Sequence, residues 1–89
     1  MARRQPKIIS IKPVSIRIGD RINVKGMYQD AEIKRTGLVA KRDVSGITGT
    51  TTWLTAGGIT LLEQYRDGTC DLAKAHVYLL NRAPDLTLF

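Results

Sequence analysis

Residues 14–26 have the sequence VSIRIGDRINVKG, which contains two short runs of alternating apolar and polar side chains. Apolar residues occupy positions 14, 16 and 18 in the first run and positions 22 and 24 in the second, with Gly19-Asp20 between them and Gly26 at the end. A period of two is typical of a β-strand with one buried face and one solvated face. The segment therefore predicts two strands separated by a turn, with Pro13 before the first or on an edge.

Similar signals continue along the chain. Strand candidates follow at residues 37–41 (GLVAK), 50–55 (TTTWLT), 59–65 and 77–80 (VYLL), because β-branched and aromatic residues favour strands. Residues 45–49 and Asp67-Gly68 have turn chemistry. Gly57-Gly58 predicts a two-residue type I′ hairpin turn, in which both central residues have positive φ. Residues 27–33 show no clean period, which indicates a loop or a single helical turn.

Two segments also fit helices. Residues 60–63 (TLLE) match a capping box, and Asp71 is in position to cap a helix that runs through Leu72, Ala75 and Leu79 and stops at Pro84. We favour strands at both places because strand signals surround them.

The glycine-punctuated strands resemble the SH3-like small barrels of the KOW and ribosomal-protein type. The resemblance lies in residues 18–26 (IGDRINVKG), residues 36–40 (TGLVA), Gly68 and residues 77–80. It implies a mainly all-β fold: a small SH3-like barrel of five to six short strands with at most one short helical turn. The expected organisation is a basic N-terminal arm and first strand at 1–15, the barrel at 16–82 and an apolar tail at 83–89. The small arginine-rich chain is also similar to accessory proteins of bacteriophages that infect actinobacteria.

Positive charge is concentrated in the first half of the chain. The 89 residues carry a formal net charge of +6, and residues 1–42 hold 11 of the 14 basic and 3 of the 8 acidic residues. Such asymmetry indicates a polyanionic partner for the first half. Simple solubility is the alternative explanation in so small a chain.

Strand alternation that buries Ile22 and Val24 exposes Arg21, Asn23 and Lys25. Exposed basic side chains along a phosphate backbone favour sequence-independent binding of DNA or RNA. The candidate phosphate contacts are Arg3, Arg4, Lys7, Arg17, Arg21, Lys25, Lys34, Arg35, Lys41 and Arg42. Trp53 and Tyr28 are candidates for stacking on bases, although Trp53 also fits a place in the core. Tyr65 and Tyr78 are weaker candidates.

Residues for catalysis are sparse. One histidine, His76, and one cysteine, Cys70, leave no zinc-ligand cluster and no convincing nucleophile–base pair, and the chain has no P-loop or GxGxxG motif. We expect a structural role for His76 and a core position for Cys70. The sequence therefore predicts a protein without enzymatic activity, metal or cofactor.

An alternative function is protein–protein contact, as in a phage virion or assembly component or a small inhibitor of a host protein. Two segments, Lys7–Lys12 and Leu86–Phe89, can add to a neighbour's sheet as edge strands, and Leu86, Leu88 and Phe89 are the candidate self-association residues of a homo-oligomer. The chain has no stretch of about 20 apolar residues and no signal-peptide h-region. We expect a cytoplasmic protein without membrane contact, located in the host cytoplasm or the virion if it is of phage origin.

Overall fold

A computed structural model describes residues 8–82, which form β-strands and a single 3-10 turn. The all-β class predicted from the sequence is confirmed. The 3-10 turn is Pro13–Ser15, between the first two strands. The strands are β1 (Ile9–Ile11), β2 (Arg21–Tyr28), β3 (Ala31–Leu38), β4 (Lys41–Val44), β5 (Thr51–Leu54), β6 (Thr60–Gln64) and β7 (Ala73–Asn81).

The strands form two antiparallel sheets. The first sheet has the order β1-β7-β2-β3, and the second has the order β4-β5-β6. Both sheets contribute to one apolar core, which contains Ile16, Ile22, Val24, Val39, Trp53, Leu61, Leu62, Leu72, Val77 and Leu79. The closed SH3-like barrel stays a prediction, because the hydrogen-bonded strand pairs belong to two separate sheets.

The first predicted strand, at residues 14–18, is wrong. Pro13 starts a 3-10 turn in which the Ile16 N–H donates to the Pro13 carbonyl at 3.0 Å. Ile16 is buried in the core, whereas Val14 is 81% exposed and Ile18 is 53% exposed. The strand lies earlier, at Ile9–Ile11, because proline fixes its own φ and has no N–H to offer a ladder.

The loop predicted at residues 27–33 is also wrong, because β2 and β3 form one long hairpin across it. The turn residues Gln29 and Asp30 have φ of 50° and 67°, the positive values that a type I′ turn requires. The predicted strand at residues 37–41 is divided between β3 and β4. Val39 lies between them and donates its N–H to the Asp20 carbonyl at 2.9 Å.

Both segments with helical alternatives are extended. Residues 60–64 form β6, and β7 begins at Ala73. Asp71 caps no helix. Its carboxylate accepts the Glu63 N–H at 3.2 Å and forms an ion pair with Arg35 of β3 at 2.7 Å. Arg35 also donates to the Leu61 carbonyl at 3.4 Å, so this cluster connects the two sheets.

The connection between β5 and β6 is a three-residue loop rather than the predicted type I′ turn. Gly58 has φ of +86°, but Gly57 is not in the positive-φ region. The Gly58 N–H donates to the Thr55 carbonyl at 3.0 Å, and the Thr55 N–H donates to the Ile59 carbonyl at 2.9 Å. This pattern is a type I turn followed by one left-handed residue.

A buried carboxylate joins distant parts of the chain. Asp20 is fully buried, and its Oδ2 accepts the Arg17 N–H at 2.9 Å and the Arg82 Nη2 at 2.8 Å. Arg82 follows β7 and also donates to the Ser15 carbonyl at 2.7 Å. The hydrogen bond to Asp20 raises the pKa of the Arg82 guanidinium.

The loop geometry at Gly58 predicts a contrast between neighbouring glycines. Gly58→Ala places a Cβ on a left-handed residue and should lower the free energy of unfolding by about 1–2 kcal/mol. Gly57→Ala has room for its Cβ, with Thr55 Oγ1 the nearest atom at 3.9 Å, and should be neutral or slightly stabilising. Urea unfolding of the two variants measures the difference. Equal losses in both variants would indicate the type I′ turn instead.

The Asp20–Arg82 pair predicts a second contrast, between two arginines. Arg82→Gln removes a charged donor from a buried carboxylate and should cost about 1–3 kcal/mol of stability. Arg17→Gln is the matched control, because that side chain is exposed and has no hydrogen bond or ion pair within residues 8–82. Thermal unfolding followed by circular dichroism compares them. Similar midpoints for both variants would show that Arg82 adds nothing to the fold.

Candidate nucleic-acid interface

One face of the first sheet points away from the core. In β2, Ile22 and Val24 are buried, while Arg21 and Lys25 are exposed and Asn23 is half-buried. In β7, Val77 and Leu79 lie in the core, so the residues that alternate with them, His76 and Tyr78, lie on the opposite side of the sheet. We refer to the opposite side of the first sheet as the outer face.

The strand register places basic residues in a line across the outer face. Lys25 of β2 pairs with Lys34 of β3 on one side and with His76 of β7 on the other. Lys12, directly after β1, lines the same surface hollow as His76. We call Lys12, His76, Lys25 and Lys34 the basic row. Adjacent strands are about 4.8 Å apart, so the row spans roughly 14 Å.

Two lysines directly opposite each other in an antiparallel pair are unfavourable for folding. Each has one partial partner. Lys34 lies 3.5 Å from Glu32 Oε1 in an exposed ion pair, with both side chains more than half exposed, and such pairs contribute little. Lys25 Nζ lies 5.5 Å from the centroid of the Tyr78 ring. The row thus keeps positive charge that its neighbours do not neutralise.

An aromatic pair lies beside the basic row. Tyr78 pairs with Asn23 of β2 and Ser10 of β1, one row along from His76. The ring centroids of His76 and Tyr78 are 6.4 Å apart, and the ring planes are inclined by 34°. Asn23, the β2 neighbour of Tyr78, donates from its Nδ2 to Thr36 Oγ1 at 2.7 Å, and this hydrogen bond fixes the Asn23 side chain.

An open groove of about 240 Å³ runs beside the two rings. It combines aromatic surface, a thioether and charge of both signs, in Lys25, Met27, Glu32, Lys74, His76 and Tyr78. Lys74 reaches this groove through an irregularity in the β2–β7 ladder between Lys25 and Met27, where its own φ is 53°.

The structure brings some of the predicted phosphate contacts together and separates others. Arg21, Lys25 and Lys34 share the outer face, and Arg17 is exposed in the loop before β2. Arg35 faces the other way and is held by Asp71. Lys41 and Arg42 lie in β4 of the second sheet. Arg3, Arg4 and Lys7 lie outside the described residues.

The predicted stacking residues lie elsewhere. Trp53 is 3% exposed in the core, so it offers no open ring face to a base, and its Nε1 has no hydrogen-bond partner within the described chain. Tyr28 is 55% exposed at the end of β2, beside the hairpin turn. Tyr78, ranked lower from the sequence, is the tyrosine beside the basic row. In the sequence, Tyr78 lies between the apolar residues Val77 and Leu79, and this alternation predicts that Tyr78 lies on the face opposite the core.

The two residues considered for catalysis, His76 and Cys70, line one surface hollow. His76, for which the sequence predicts a structural role, is exposed on the outer face. Cys70 is half-buried, and burial, followed by the charge of Asp71, raises the pKa of its thiol. Among residues 8–82, His, Cys, Asp and Glu form no group of three or more that could hold a metal ion.

The surfaces predicted for protein–protein contact lie only partly within the described residues. Ile9–Ile11, in the segment predicted as an edge strand for a neighbour, pairs with β7 of its own chain. The candidate self-association residues Leu86, Leu88 and Phe89 lie outside the described residues. Residues 8–82 contain no helix of the length and hydropathy needed to cross a bilayer.

Compared with known proteins, the chain matches no family model, no curated protein and no solved structure at a significant level. The functional inference therefore depends on the outer face itself.

The raised pKa of Cys70 predicts a thiol that is alkylated slowly at neutral pH. Less thiolate is present at neutral pH than in a free cysteine, so alkylation by iodoacetamide at pH 7.5 should be slower than for glutathione. The rate should rise with pH beyond the range in which the glutathione rate levels off. Mass spectrometry of quenched samples measures both rates, and the unfolded protein is the control. A folded rate above the glutathione rate would contradict the prediction.

Proposed function

We propose that this protein is a non-enzymatic binding module that contacts nucleic-acid phosphates through the outer face of its first sheet. The observation that carries the proposal is the basic row, and above all the Lys25–Lys34 pair. Like charges opposite each other lower the stability of a small domain. An arrangement that is unfavourable for the free fold is expected where it serves a ligand. A polyanion is the ligand that turns this repulsion into binding energy.

The chemistry of the row favours phosphate over a defined small anion. Lysines are flexible point charges, unlike the planar fork of arginine that fits one carboxylate or phosphate in fixed geometry. The row is also exposed and linear, whereas a small-molecule site is concave and encloses its ligand. A spaced series of phosphates along a backbone matches the three lysines of the row, spread across about 14 Å, better than a single anion does.

The overall charge supports the same partner. Residues 1–42 contribute β2, β3 and most of the basic row, and they carry the excess of basic residues. Such a field attracts a polyanion from a distance and accelerates its association. Arg21, on the same face and strand as Lys25, extends the positive surface toward the start of β2.

The proposal predicts weak binding that depends steeply on salt. About three phosphate contacts give a log–log slope of roughly −2 on single strands and −3 on duplex DNA. Fluorescence anisotropy with a labelled oligonucleotide at several salt concentrations measures the slope. Binding that is indifferent to salt, or no binding at low salt, contradicts the proposal.

A charge reversal locates the contact. Lys25→Glu should weaken binding about tenfold or more at low salt, because one phosphate contact is lost and a repulsion is added. Lys41→Glu is the matched control, an exposed strand lysine in the second sheet with the same change in net charge. The Lys25 variant also removes a like-charge pair, so its unfolding midpoint should not fall. Equal loss of affinity in both variants would show that net charge, and not the outer face, governs binding.

A further inference from the structure

We infer that the outer face prefers single-stranded nucleic acid, with one unpaired base stacked in the groove at His76 and Tyr78 and its neighbouring phosphates on Lys25 and Lys34. This inference rests on the proposed function and specifies its substrate class. Phosphate contacts alone do not distinguish a single strand from a duplex, whereas an accessible base does.

The spacing of the two rings supports a stacked base. His76 and Tyr78 are two residues apart on β7, so both side chains leave the sheet on the same face. Stacked bases repeat about every 3.4 Å, so a base between two rings needs about 6.8 Å from one ring to the other. The observed centroid separation of 6.4 Å is close to that distance, and the ring planes are inclined by 34°.

The groove beside the rings has the composition of a base-binding site. Met27 adds a polarisable thioether, which packs well against aromatic rings. Lys25 and Lys74 lie at its sides, and Glu32 supplies an acceptor for an N–H group of a base. The groove is open to solvent, so a strand can enter without passing a lid.

Lys25 links the two parts of the site. In the free protein its Nζ lies over Tyr78 at 5.5 Å, an exposed cation–π contact and therefore a weak one. A phosphate oxygen is a stronger partner for an ammonium group. When Lys25 turns toward a phosphate, it uncovers the ring surface that a base then occupies. Phosphate binding and base stacking therefore support each other.

The other aromatic residues lack this combination. Trp53 is in the core, and Tyr28 is exposed at the hairpin end of β2 without a ring partner in the described structure. In duplex DNA the bases are already stacked on one another, and a flat sheet face reaches only phosphates. One stacked base should make a single strand bind roughly 5- to 100-fold more tightly than a strand without bases.

The test compares three probes at one salt concentration: a labelled 12-mer of deoxythymidine, an abasic 12-mer and a 12-base-pair duplex. The unmodified protein should bind the thymidine strand more tightly than the other two. Tyr78→Leu should abolish that difference while leaving the affinity for the abasic strand and the salt slope unchanged. Tyr78→Phe keeps the ring and should retain the preference. Tyr65→Leu removes an exposed tyrosine outside the first sheet and should change nothing.

A second measurement is independent of affinity. On addition of the thymidine 12-mer, NMR signals of the His76 and Tyr78 rings should shift through ring currents, and the abasic strand should not produce the same shift. Equal affinity of the unmodified protein for thymidine and abasic strands, with a steep salt slope, would overturn the stacking inference and leave phosphate binding intact. Failure to bind any of the three probes would overturn the proposed function itself. Loss of the preference in Tyr78→Phe would also contradict stacking, because that variant retains the ring.

Discussion

The buried carboxylate of Asp20 is the constraint on which the arrangement of the first sheet depends. It receives the Arg17 N–H and the Arg82 guanidinium, while the main chain at residues 19–20 pairs with Val39. These contacts fix the start of β2, the end of β7 and the passage from β3 to the second sheet. A buried charge is tolerated only when it is paired and hydrogen-bonded, so the three segments form one unit. β2, which carries Lys25, begins beside that unit, and β7, which carries His76, ends beside it.

Close packing behind the outer face requires a glycine at position 26. A Cβ built on Gly26 would lie 2.5 Å from the Leu72 Cβ, so no other residue allows Leu72 to pack at this place in the core. The β2–β7 ladder is irregular at the same point, and Lys74 has a positive φ. Irregularities of this kind turn side chains out of their regular positions. Lys74, which lies at this irregularity, lines the groove on the outer face.

The fold class and the exposed side of β2 can be predicted from the alternation of apolar and polar residues along the sequence. Several local elements and the contacts between distant segments cannot. The period of two at residues 21–25 gives the exposed side of β2 because Ile22 and Val24 need a core. The same reasoning fails at residues 14–18, where Pro13 favours a 3-10 turn, and at Gln29-Asp30, a type I′ turn without glycine. Arg35 reads as a surface charge, yet its partner Asp71 is 36 residues away. The opposition of Lys25 and Lys34 depends on the register of the β2–β3 hairpin, which no pattern in one strand contains.

The basic row has a consequence for the free protein as well. Two identical faces that each carry the three lysines of the row repel one another, and this repulsion opposes stacking of copies of the chain through their first sheets. A sheet face with Tyr78, Met27 and Leu38 in it would otherwise be prone to association. Charge on an open sheet is a recognised defence against aggregation. Under the proposed function, a phosphate backbone that neutralises the row would remove this repulsion, and molecules bound along one strand would be able to lie close together.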